Sequence, residues 1–185
     1  MKKSNSLVLT ALVALAAVLS AEEKAAEKAP AAQTQEAGKN QLRNGSFTEL
    51  DGKGMPKWWT LKKGEVVKTA AGNAVRINGR VYQFLIDREL WQKPFERKVA
   101  YSFTASGKGK LTVNFYRYTD TPDPREKRGY QRKQLSPDGN GGTYDLTEKL
   151  QQFSGEYTIN ANEWVAFALH ASDAIVGDIS LRLVK

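Results

Sequence analysis

The stretch VAYSFTASGKGKLTVNFYRY, Val99 to Tyr118, decides the fold. Val99, Tyr101, Phe103 and Ala105 alternate with Ala100, Ser102 and Thr104. That is the period of a strand with one buried face. Gly107-Lys-Gly109 turns the chain. Leu111, Val113 and Phe115 then alternate with Thr112, Asn114 and Tyr116, and Tyr118 continues the second row. A helix would need apolar residues three and four apart, and no segment after residue 41 sustains that stripe.

The same rhythm extends in both directions. Upstream, Trp58–Leu61, Glu65–Thr69, Ala74–Ile77 and Val81–Ile86 read as strands, the last apolar on both faces and so without a clear inward side. Downstream, Phe153, Tyr157 and Ile159 alternate with Ser154, Glu156 and Thr158. Val165, Phe167 and Leu169 alternate with Ala166, Ala168 and His170. A final strand sets Ile175, Ile179, Leu181 and Leu183 against Asp178, Ser180 and Arg182. Many short strands separated by Gly, Pro, Asn and Asp predict an all-β protein, a β-sandwich of two antiparallel sheets. One stretch breaks the pattern. Thr119 to Asp145 is polar and rich in Pro and Gly, with one hairpin expected around Gln131–Leu135. Arg125, Lys127, Arg128, Arg132 and Lys133 make it the strongest local basic cluster.

The chain opens MKKSNSLVLTALVALAAVLSAEE. A basic head, a short apolar run and small residues have the form of a secretory signal over 1–21. Residues 22–40, rich in Ala, Glu, Lys and Gln and without an aromatic, read as a disordered tether. The folded domain is then 41–185, roughly 145 residues and enough for one core. With no cysteine, neither a disulfide nor a lipidated cysteine is available. The expected location is secreted or periplasmic, with no transmembrane segment left after signal cleavage. Most of the formal net charge of +8 lies in 41–185 and favours anionic partners. Export argues against nucleic acid. An acidic glycan or an anionic cell surface suits the compartment better.

The order of the pieces resembles the carbohydrate-binding modules of the family 4/9 type. Asn44-Gly-Ser-Phe47 followed by Trp58 resembles their opening turn. Val81-Tyr-Gln-Phe84 resembles a paired strand carrying Gln, and Val99 to Tyr116 their central hairpin. Leu150 to Thr158 and Ile175-Val-Gly-Asp-Ile-Ser-Leu181 resemble their last strands. The resemblance implies a galactose-binding-like jelly roll over residues 41–185, with a polysaccharide or glycan as ligand. Members often place Glu directly after the Phe and two adjacent acids near the end, which help to hold a structural calcium ion. Here Thr48 and Gly177 stand at those places, leaving Asp178 and backbone carbonyls as its ligands. No other cofactor is implied.

Sugar recognition needs flat apolar faces together with amide, hydroxyl or charged groups. The row Thr112, Asn114, Tyr116 and Tyr118 supplies both kinds on one strand. Ser102, Thr104 and Gln83 join it if neighbouring strands share the face. Trp164 and His170 occupy the non-core side of another strand. The ligand-binding candidates are therefore Gln83, Asn114, Tyr116, Tyr118, Trp164 and His170. Trp58, Trp59 and Trp91 fall at loop or strand ends, with Trp58 expected to pack against the core. Catalysis has little footing: His170 is the single histidine, and no Gly-X-Ser-X-Gly turn occurs. The reading is an exported, non-catalytic carbohydrate-binding module, favouring an acidic polysaccharide. The alternative is an envelope protein-interaction or structural module on the same fold, its protein partner unidentified.

Overall fold

A computed structural model describes residues 38–85, 92–135 and 141–184. The signal segment, nearly all of the tether, Ile86 and Trp91 lie outside the described residues. The described part is all-β. The strands are β1 (Thr60–Thr69), β2 (Gly72–Phe84), β3 (Arg97–Gly107), β4 (Lys110–Pro122), β5 (Tyr130–Gln134), β6 (Thr143–Asp145), β7 (Gln151–Ile159) and β8 (Trp164–Leu183). Every pairing among them is antiparallel.

Long strands that bend make the two layers of the jelly roll. The first half of β8, Trp164 to Ala171, pairs with β4. Its second half, Ala174 to Leu183, pairs with β3. Strand β2 follows β8 through both halves and β1 follows β2. The register slips at one level in all three strands: at Lys63 in β1, Asn78 in β2 and Ser172-Asp173 in β8. These bulges form the corner at which the hydrogen-bonded sheet folds over, because an unpaired extra residue bends its strand. Gly79 marks the corner in β2. Its φ is +153°, and a Cβ there would run into the Lys62 carbonyl oxygen.

The corner explains two departures from the sequence reading. Predicted pairs such as Glu65–Thr69 with Trp58–Leu61 are single strands interrupted by a bulge. The Val99–Tyr118 stretch is not a hairpin: β3 pairs with β7 and β8, and β4 with β5, β6 and β8. The Gly107-Lys-Gly109 turn instead carries the chain from one layer to the other. Tyr101 and Phe103 on β3 therefore meet the facing layer across the core. Tyr101 lies 5.9 Å from Phe115 and 6.0 Å from Phe167, and Phe115 stacks on Tyr157 at 4.0 Å. Phe47, Phe103, Phe115 and Phe167 are fully buried. Each such side chain contributes about 1.5–3 kcal/mol.

A further bulge corrects the inward row of the last strand. Against β3 the register slips between Ser102 and Thr104, where Asp178 adopts φ +49°. Parity reverses there, so Ala174 and Val176 point inward before it, and Ile179 and Leu181 after it. Ile175, expected in the core, is only partly buried.

The chain start is clamped onto β8. Asn40, placed in the tether by sequence, accepts hydrogen bonds from the Leu42 and Leu181 N–H groups at 3.1 and 2.9 Å. In the Asn44-Gly turn, the Asn44 side chain donates to the Glu49 and Lys57 carbonyls. Trp59, not Trp58, is the core tryptophan. Its Nε1 donates to the Arg43 and Asn44 carbonyls, and its ring meets Phe47 edge-on at 5.3 Å. Trp58 is 54% exposed under the Arg43 guanidinium.

Candidate functional site

The outer face of one layer is built by β2, β8 and β4 in that order. Register sets its side chains in rows. Phe84, Ala166 and Tyr116 form one row; Tyr82, Ala168 and Asn114 the next; Arg80, His170 and Thr112 the third. Trp164 and Tyr118 close the end beside the first row. The central strand thus contributes two alanines between columns of larger side chains. Both alanines are fully buried, covered by their neighbours. The result is a shallow cleft of about 230 Å³ lined by Arg80, Tyr82, Phe84, Tyr116, Tyr118 and Gln134.

The rings hold one another. Tyr118 stacks on Trp164 at 4.5 Å and 20°, and Phe84 lies 5.7 Å from each of them. Tyr82 meets Phe84 edge-on at 5.8 Å. Trp164 is itself buried: the Arg132 guanidinium sits 4.2 Å over its ring, fixed by paired bonds to Asp120. Burial pushes the Tyr118 phenol up from its ordinary pKa, reinforced by Tyr82 and Tyr116. Tyr118 therefore serves as a neutral donor and acceptor at physiological pH.

A polar chain runs across the third row. Arg80 Nη1 donates to the Tyr116 hydroxyl at 3.3 Å, and that hydroxyl lies 2.8 Å from His170 Nε2. A hydroxyl has one proton and two lone pairs, so while accepting from Arg80 it either donates to Nε2 or accepts from an Nε2–H. Burial, and then the Arg80 charge, lower the His170 pKa and so favour the neutral imidazole. Asn114 makes no side-chain hydrogen bond to another described residue, and Gln134 stands exposed at the cleft mouth.

Among the sequence candidates, Asn114, Tyr116, Tyr118, Trp164 and His170 share this face, with Trp164 as a support beneath Tyr118. Gln83 does not. It is turned to the core side, 5% exposed, where its Oε1 accepts from the Arg43 N–H at 2.8 Å and its Nε2 donates to the Arg43 carbonyl at 2.9 Å. Ser102 and Thr104 belong to the other layer, where Ser102 bonds Ser180. Sequence reasoning missed Arg80, Tyr82, Phe84 and Gln134. The parity of Arg80, Tyr82 and Phe84 was in the sequence, but the apolar residues between them masked it.

The predicted hairpin in the Thr119–Asp145 stretch exists as β4 paired with β5. Two of its bases are already matched within it, Arg132 by Asp120 and Arg125 by Asp123.

Among the described residues no carboxylate lines the cleft. Nearby, Asp120 is engaged by Arg132, and Glu163 by Arg117 at 2.7 and 2.5 Å. The Arg117 bonds hold the Glu163 carboxyl below its usual pKa. Asp178, expected as a calcium ligand, is exposed at its bulge. Among the described residues no group of three or more acidic, His or Cys side chains could hold a metal ion.

No family's sequence profile matches the chain, and no curated protein matches it in sequence. Solved structures do match. The CBM22-1 xylan-binding domain of Xyn10C from Paenibacillus barcinonensis aligns with TM-score 0.50 and 18% identity, over 81% of this chain and 97% of that one. The CBM22-1-CBM22-2 tandem domain of the same protein aligns with TM-score 0.50 and 18% identity, over 82% of this chain and 47% of that one. A module named TmCBM61, solved with β-1,4-galactotriose, gives TM-score 0.45 and 13% identity over 80% and 100%. The fold is thus that of carbohydrate-binding modules.

Proposed function

We propose that this protein is an exported, non-catalytic carbohydrate-binding module, and that the cleft on β2, β8 and β4 holds a polysaccharide chain. One observation carries the reading: a cleft whose lining combines aromatic rings with phenol, guanidinium and amide groups. A sugar ring offers an apolar C–H face and a rim of hydroxyls, and this surface complements both. The lack of a carboxylate among the described lining residues favours holding over hydrolysis, which uses a facing pair.

The likeness to solved modules bears on the fold; the motifs shared with the family 4/9 type support the functional reading. Because the matching Paenibacillus domain is described as xylan-binding, xylan is the first ligand to test. The net charge of +8 favours acidic chains. The leader supports export to the periplasm or medium. Among the described residues no helix is long and apolar enough to cross a membrane.

The test is retention on a panel of insoluble and soluble polysaccharides, read against Tyr116→Ala and Tyr118→Ala. At least one glycan should be held by the native protein and released by these variants. Folded protein that binds no glycan, or a glycan bound equally by both variants, refutes the reading. A stoichiometric co-purifying protein would favour the envelope-interaction alternative.

A further inference from the structure

We propose that the cleft contains a carboxylate-reading subsite centred on Arg80, so that its ligand is a glycan carrying uronic acid residues. The inference rests on the glycan-binding reading above and names the ligand class within it.

Four other arginines of the sandwich have matched charge. Arg132 pairs with Asp120 at 2.9 Å, Arg117 with Glu163 and Arg125 with Asp123. Even exposed Arg76 has Glu65 at 3.7 Å. Arg80 lines the cleft and has no carboxylate within ion-pair distance among the described residues. Its one side-chain hydrogen bond goes to the Tyr116 hydroxyl, leaving four of a guanidinium's five donors for a ligand. The head is also held in place, 5.3 Å from the Tyr82 ring and 5.8 Å from the Tyr116 ring. A preorganised planar fork loses little freedom on meeting a carboxylate, and it pairs with one through two parallel bonds.

The surroundings define what kind of anion fits. Burial and the Arg80 charge lower the His170 pKa, and the remaining lining is aromatic or amide. Lys62, the cross-strand partner of Arg80 on β1, stays outside the lining. Arg80 is thus the one charged side chain among the described lining residues, which suits an isolated monovalent group; a dense polyanion would call for several bases inside the cleft. Arg80 and Phe84 are four residues apart on β2, roughly 13 Å of strand. That leaves space for a carboxylated sugar at the Arg80 end and for a neighbouring ring stacked on Phe84 and Tyr118.

Calorimetric titration against paired ligands tests this. The pairs are glucuronoxylan and polygalacturonate oligosaccharides, each with its carboxyl-reduced counterpart, and a sulfated glycan serves as a third arm. The native protein should prefer at least one carboxylated form over its reduced partner by about 10–100-fold. In Arg80→Gln that ratio should fall to near one, and in Arg80→Lys it should be intermediate. Melting curves establish folding; should the Gln variant not fold, the native and Lys ratios decide. Equal binding of both forms by the native protein, a preserved ratio in Arg80→Gln, or preference for the sulfated chain overturns the subsite while leaving glycan binding intact. Failure to bind either member of any pair while another glycan on the polysaccharide panel is retained overturns the subsite alone; failure on the whole panel removes the glycan reading and this inference with it.

Discussion

Gln83 and Gln134 should respond in opposite ways to truncation, because only one of the two amides meets the cleft. Gln83 is 5% exposed and clamps both backbone groups of Arg43, at 2.8 and 2.9 Å. Gln83→Ala removes two hydrogen bonds, each worth about 1 kcal/mol, and orphans the half-buried Arg43 N–H. It also removes one buried methylene, about 0.8 kcal/mol. The sum is about 3 kcal/mol, and at 2–4 °C per kcal/mol for a chain of this size Tm should drop by roughly 6–12 °C. Glycan affinity of the folded variant should not change. Gln134 is exposed on β5 and lines the cleft. Gln134→Ala should shift stability by less than about 0.5 kcal/mol. Loss of one ligand hydrogen bond should weaken binding about 3–10-fold. Differential scanning calorimetry reads the first effect and titration calorimetry the second. If Gln83→Ala kept its Tm and lost affinity, Gln83 would belong to the binding face, and the register assigned to β2 would be wrong.

The tryptophan pair gives a second contrast: Trp59→Ala should destabilise by about 3–5 kcal/mol in urea denaturation, whereas Trp58→Ala should stay within about 0.5 kcal/mol. Gly79→Ala forces a side chain into a left-handed position against the Lys62 carbonyl and should cost at least about 1–3 kcal/mol by the same measurement. His170 gives a pH dependence. Its folded pKa is lowered by burial and by Arg80, so the unfolded chain takes up a proton first as pH falls through about 6.5. Stability should decline from there until the folded value is passed. His170→Gln should remove that part of the slope, seen by comparing both proteins in urea at pH 7.5 and 5.5.

Alternation made the layers legible in the sequence, since Val99 to Ala105 and Leu111 to Phe115 do bury the residues that period two selects. Bulges were not legible. In β8 an inserted residue reverses parity, whereas in β2 Val75, Ile77, Val81 and Gln83 keep one side through the slip at Asn78. Asp178 therefore shifted the inward row of β8, and Asn78 concealed that Ala74–Ile77 and Val81–Phe84 are one strand. The Tyr116 and Tyr118 half of the cleft could be read because Phe115 fixed which side faces inward. The β2 half could not, because Val81 and Phe84 are both apolar and only one is in the core. Gln83 deceived for the related reason that a core-facing amide is normal when backbone groups saturate it. Partner choice was also invisible: Gly107-Lys-Gly109 reads the same whether the next strand pairs with the last or faces it across the core.

The sandwich has two outer faces, and physical chemistry separates them. On the β3, β7 and β8 side the outward residues include Ser102, bonded to Ser180, and Ser154, Glu156 and Thr158 on β7. Hydroxyls there are already satisfied by water or by each other. A sugar would exchange one set of hydrogen bonds for another, a trade with little net gain. The β2, β8 and β4 side differs in the small size of Ala166 and Ala168. Larger residues at those central positions would crowd the columns on either side. Alanines let those columns close over them, and Phe84, Tyr118 and Tyr116 present apolar planes whose hydration is released on contact. A favourable driving force and directional polar groups coincide on that face. Under the proposed function a glycan chain would settle against these rings, not along the serine face behind them.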